Sequence, residues 1–126
     1  MSLLVRAFPL RGSAADLKAF VSALKNERKA EALAFYKSHG VTHESYYLQE
    51  TPMGNLVIGL TQVDDVPTAS ASFAQAQTGF AAWFKQQIVA LSGVNPDETP
   101  NGPPTTLIYE HSETPEIRAH FAPPQL

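Results

Sequence analysis

The chain has 126 residues, 44% of them hydrophobic and 17% charged, values expected of a globular protein built on a single core. Its formal charge of −3, with nine Lys and Arg residues dispersed along the chain, excludes the basic face that nucleic-acid phosphates demand. It has no cysteine, which removes thiol catalysis, disulfides and thiolate metal sites together.

Residues 3–10 read as a strand, with Arg6 as its only charge and Pro9 closing it. Ser13 is placed to cap the helix that follows, with Asp16 three residues on. Leu17, Phe20, Val21, Leu24 and Phe35 share one face of that helix, expected over residues 14–39, and Gly40 stands where a left-handed stop belongs. Residues 41–51 and 56–64 read as strands joined by the turn Pro52-Met53-Gly54-Asn55. Placing Thr51 opposite Leu56 sorts the hairpin into two faces. Leu56, Ile58, Leu60 and Tyr47 form the expected helix-packing face. Val57, Gly59 and Thr61 share the other with Glu44, Tyr46 and Leu48, an amphipathic surface that must meet something.

Asp64-Asp65-Val66-Pro67 opens a second helical region, because Asp caps well and Pro is tolerated in a first turn. Phe73, Gln77, Phe80, Phe84, Ile88 and Leu91 follow at helical spacing with Trp83 on the flank, and Gly79 is placed to divide the region. Residues 96–104 form a proline-rich loop, and residues 105–112 read as the last strand. The resulting order, β-α-β-β-α-β, predicts an α+β ferredoxin-like domain over residues 1–112. Its antiparallel four-stranded sheet would take the order 4-1-3-2 with helices on one face, and residues 113–126, with three prolines, would form a C-terminal arm. The start of the chain lacks a basic, apolar leader, and no stretch approaches a membrane span; a cytoplasmic protein with no membrane partner is expected.

Two segments carry a resemblance: Glu27-Arg28-Lys29-Ala30-Glu31-Ala32-Leu33, and His43-Glu44-Ser45-Tyr46. With the helix, hairpin and closing strand around them, they resemble the dimeric α/β-barrel superfamily, ferredoxin-like proteins that include the antibiotic-biosynthesis monooxygenases. The likeness is nearest to an uncharacterised bacterial family of that fold. It implies a homodimer in which two sheets meet across a two-fold axis, with space for a small ligand. One fold hosts many chemistries, so it implies assembly more firmly than activity. Haem degraders of the superfamily use a helix histidine, and neither long helix has one inside it, since His39 stands at the end of the first. No cofactor and no metal are expected.

Three groups of residues carry the chemical candidates. Arg6, Glu44 and Tyr46 are expected on the amphipathic sheet face, where Arg6 would hold an anion, Glu44 act as base and Tyr46 donate a hydrogen bond; alternatively Arg6 and Glu44 neutralise each other across a dimer interface. Arg28, Glu31 and His39 continue the first helix's stripe, either as a pocket wall or as an i,i+3 ion pair with His39 capping the helix. Tyr109, a ligand-binding candidate, and His111, a second candidate base, lie on the expected last strand, where a one-residue slip reverses their face. The leading expectation is a homodimer binding a small organic molecule. The alternatives are a cofactor-independent monooxygenase or isomerase and a structural dimer without ligand.

Overall fold

A computed structural model of the chain describes residues 2–98 and 101–113. β1 (Ser2–Pro9) leads into α1 (Ala14–Lys25) and α2 (Lys29–Ser38), then the hairpin β2 (Val41–Thr51) and β3 (Gly54–Val63), then α3 (Val66–Gln75) and α4 (Gly79–Ser92). The fold is α+β, a three-stranded antiparallel sheet of order β1-β3-β2 with four helices. This corrects the expected βαββαβ order: each helical region is a pair of helices, and the fourth strand is absent among the described residues. None of the described helices is long and apolar enough to cross a membrane.

Local chemistry accounts for the helix ends. Ser13 and Asp16 form a reciprocal capping box at α1, each side chain accepting the other's backbone N–H at 3.1 Å. Asp65 caps α3 by accepting the Thr68 N–H at 3.0 Å, with Pro67 in the first turn. Gly79 adopts a left-handed φ of 60° and separates α3 from α4.

The first helical region breaks at Asn26, which was expected to lie inside one continuous helix. The Asn26 amide donates to the Ser22 carbonyl at 3.0 Å, and the Arg28 N–H reaches back five residues to Ala23 at 2.8 Å. A short polar side chain competing for backbone groups is a helix breaker. The break resets the rotation of α2, so that Ala32, Phe35, Tyr36 and His39, at i, i+3, i+4 and i+7, turn inward. Arg28 and Glu31 turn outward instead and pair with each other at 3.3 Å, with the Arg28 guanidinium 4.4 Å from the Trp83 ring centre.

The hairpin is tighter than expected by two residues, with Thr51 opposite Gly54 and Tyr46 opposite Gly59. An even shift preserves the two faces. Their assignment is reversed, however: the helices cover the amphipathic face. Phe8 of β1, Val57 of β3, and Tyr46 and Leu48 of β2 pack against Leu17, Phe20, Phe35, Phe73, Phe84, Ile88 and Leu91. The alternation in β1 decides this, because Phe8 shares a face with Arg6 and brings more apolar surface there than Ala7 brings to the other side. Arg6 and Glu44 are thereby carried beneath the helices.

Residues 105–112, expected as the last strand, do not join the ladder. Ile108 is 93% exposed and Tyr109 80% exposed. Gly102 fills the approach to the free edge of β1 so closely that a Cβ there would lie 2.1 Å from the Ala7 carbonyl oxygen. Pro103 and Pro104 follow, and neither has an N–H to donate, so no ladder starts along this edge. Thr105 makes one side-chain hydrogen bond to the Val5 carbonyl. The C-terminal arm expected from residue 113 lies outside the described residues from 114 on.

Lys85 of α4 ties the helical layer together. Its side chain is 8% exposed and its Nζ pairs with Asp97 at 2.6 Å. The same ammonium donates to the Phe73 and Ala76 carbonyls at the end of α3, both at 2.6 Å. Removing it strips the Asp97 carboxylate of its counter-ion and two helix-end carbonyls of that donor. Lys85→Met is expected to lower unfolding free energy by about 3 kcal/mol or more, and Asp97→Asn by less, as read from urea denaturation midpoints at constant m-value.

Candidate functional site

Between the sheet and α2, α3 and α4 lies a cavity of about 190 Å³, lined on one side by the segment that carries Pro96, Asp97, Glu98 and Asn101. Its apolar wall mixes three phenylalanines with aliphatic side chains such as Leu4, Val63 and Ile88. Phe35 packs against Phe73 at 6.0 Å and against Phe84 at 5.2 Å between ring centres, and all three line the space. The polar wall comes from two adjacent rows of the sheet: Leu4, Thr61 and Glu44 stand in register, and the next row is Arg6, Gly59 and Tyr46.

Gly59 makes room for Asn101. A Cβ at position 59 would lie 3.4 Å from the Asn101 Cβ, Cγ and Nδ2, so the asparagine side chain occupies the space above the central strand. Asn101 holds a left-handed φ of 62°, which asparagine tolerates better than most residues. Its amide reaches the Glu44 carboxyl at 3.5 Å.

Burial dominates the titration of Glu44, pushing its carboxyl up to about 7 against the opposing influence of the neighbouring Tyr46 and Thr61 hydroxyls and the Asn101 amide. The buried Tyr46 hydroxyl lies beside that carboxyl without the geometry of a full hydrogen bond. Burial and the Glu44 charge raise both Tyr36 and Tyr46, keeping the phenols protonated. Arg6 is half-buried on the cavity wall and makes no ion pair or hydrogen bond with a described residue.

His39 ends α2 and is 8% exposed. Its Nδ1 lies 2.5 Å from the Ser72 hydroxyl, while its buried Nε2 has no partner among the described residues. Phe35 stands edge-on to the ring with centres 4.5 Å apart. Burial, with the Lys85 charge second, lowers the pKa of the imidazole and favours its neutral form.

The structure brings Arg6 and Glu44 into the cavity and puts Tyr46 directly behind Glu44. It places Tyr109 and His111 elsewhere: Tyr109 faces solvent, and the exposed His111 lies 3.6 Å from Glu113. The Arg28–Glu31 pair is outside the cavity wall, whereas His39 is on it. Tyr36 and Asn101 were not singled out from sequence. Spacing from Phe35 to His39 would have found Tyr36 once the helix break was recognised; Asn101, 42 positions beyond Gly59, leaves no local signal.

A carboxyl raised by folding makes stability fall with pH. Below about 4.5 the group is protonated in both states; between there and about 7 the unfolded chain ionises while the folded one resists, and above about 7 the cost is complete at about 3 kcal/mol. Glu44→Gln is expected to flatten the dependence of Tm on pH across this window and to raise Tm at pH 8, measured by scanning calorimetry from pH 4 to 8. No protein-family model matches the chain, and no curated protein sequence matches it either.

Proposed function

We propose that the chain binds a small organic anion carrying a single ring in the cavity between its sheet and helices. The observation that carries this reading is the Arg6 guanidinium, which has no counter-ion among the described residues, on the wall of a space that Phe35, Phe73 and Phe84 also line. Charges drawn partly out of water are ordinarily paired, so a half-buried guanidinium with no counter-ion among the described residues leaves a place for an anion. A cationic guanidinium suits a carboxylate, and the phenyl rings suit a flat apolar body. At about 190 Å³ the space exceeds the roughly 150 Å³ that accommodates benzene, which leaves room for polar substituents on one ring.

Benzoate is the first probe. At saturation it is expected to raise Tm through mass action, by about 2.7 kcal/mol of stabilisation at a hundred times its Kd. Toluene, which lacks the anion, is expected to do less, and Arg6→Ala is expected to abolish the difference between the two. Equal shifts for benzoate and toluene would argue against an anion site.

A second proposal concerns assembly. The sheet face turned away from the helices exposes Val5 and Tyr47, the latter at 55%, and Leu107, Ile108 and Tyr109 stand exposed beyond β1. A patch of this kind suits a second copy of the chain, as in the homodimers of the dimeric α/β barrels. Sedimentation equilibrium is expected to give a dimer for the parent chain and a monomer for Tyr47→Glu combined with Ile108→Glu.

A further inference from the structure

An anion alone does not balance the charges on the cavity wall. Arg6 supplies positive charge there, and against it stand the carboxyls of Glu44, Asp97 and Glu98. Asp97 is taken up by Lys85 at 2.6 Å, whereas Glu44 and Glu98 make no ion pair among the described residues. Glu98 is exposed to solvent at the border, so the carboxyl that burial leaves without a cation is Glu44. A carboxylate drawn out of water is costly until a cation meets it.

Arg6 and Glu44 stand on the two strands that flank β3. Arg6 is in register with Gly59 and Tyr46, and Glu44 lies in the next row with Thr61 and Leu4. Two strand spacings across and one row along place their Cα atoms about 12 Å apart. Both side chains line the cavity, and no ion pair closes the gap between them. Gly59 contributes no side chain to that gap. Asn101 stands above it instead, with its Nδ2 3.5 Å from Glu44 Oε1. The other end of the same amide is a carbonyl oxygen, so Glu44 and Asn101 together offer acceptors to an N–H-rich cation. The rings come from the opposite layer: Phe35 from α2, Phe73 from α3 and Phe84 from α4. The cavity is thus charged on its sheet side and aromatic on its helix side.

We infer that the molecule held in the cavity is an aromatic α-amino acid in its zwitterionic form. This rests on the binding reading above and adds a second charge to the ligand. The carboxylate meets the Arg6 guanidinium, the ammonium meets the Glu44 carboxylate and the Asn101 carbonyl, and the ring lies among the three phenylalanines. A plain carboxylate would satisfy Arg6 and leave Glu44 without a cation, and a plain amine would do the reverse. An amino acid carries both charges on one carbon, so one small head group bridges the two flanking strands across Gly59. No bond is made or broken.

Isothermal titration calorimetry at pH 8, above the Glu44 midpoint of about 7, tests the inference with three probes. L-Phenylalanine carries both charges, phenylpropanoate lacks the ammonium, and phenethylamine lacks the carboxylate. The parent protein is expected to bind L-phenylalanine at least about tenfold more tightly than either of the others. Glu44→Gln is expected to bring the ratio between L-phenylalanine and phenylpropanoate close to one, and Arg6→Ala to do the same for L-phenylalanine and phenethylamine, with folding of each variant checked by its thermal transition. Phenylpropanoate bound as tightly as L-phenylalanine by the parent protein would overturn the ammonium site and leave the anion reading intact. All three probes refused, together with benzoate, would overturn both readings. A preference for L-phenylalanine that survives in Glu44→Gln would overturn the assignment of Glu44.

Discussion

A single buried ammonium group organises the helical layer on which the cavity depends. Lys85 meets the last carbonyls of α3, where the helix dipole favours a cation, and binds the Asp97 carboxylate from the following loop. Gln77 reaches the same carboxylate at 3.0 Å, so the connection between α3 and α4 and the loop after α4 converge on one point. That loop then continues to Asn101, which sits over Gly59 and touches Glu44. The segment that borders the cavity is thus held by an ion pair whose carboxylate, Asp97, is itself on the cavity wall. The same Lys85 charge also bears on His39, where it adds to burial in keeping the imidazole neutral.

The sheet face under the helices is a compromise. One end, with Phe8, Val57 and Leu48, packs as an ordinary core against Leu17, Phe20, Phe84 and Leu91. The other carries Arg6, Glu44 and Thr61, groups that a dry core would not tolerate, and here the layers part to leave the cavity. A raised carboxyl, and a guanidinium and a buried imidazole nitrogen that find no partner among the described residues, are each unfavourable for the folded chain. They are concentrated at one end of the sheet, beside a well-packed remainder.

Much of the fold was legible because its signals are local. Ser13 with Asp16, Asp65 before Pro67, and Gly79 between two apolar runs each mark a boundary through their own short-range chemistry. The shared face of Arg6, Glu44 and Tyr46 was legible from strand alternation, which survives a two-residue shift in the hairpin. What stayed hidden depends on contacts distant in sequence. The break at Asn26 is a weak signal inside a strong periodicity, and missing it rotates every later residue of the helix, which is why Arg28 and Glu31 looked inward and Tyr36 was passed over. The choice of covered face turns on how β1 weighs Phe8 against Ala7. The alternating run 105–112 has the pattern of a strand, yet the glycine and prolines before it govern whether it can pair.

Those same residues bear on how the chain behaves in a crowded solution. β1 is an outer strand, and the row of backbone groups along its free side is a template for any extended chain that reaches it. Gly102 presses against that row at Ala7, and the two prolines after it offer no donors of their own. The edge is covered without being extended, so the strip that lies on it cannot itself become the next outer strand and pass the template on. A sheet of three strands, which would otherwise invite growth by addition, is in this way given a terminus.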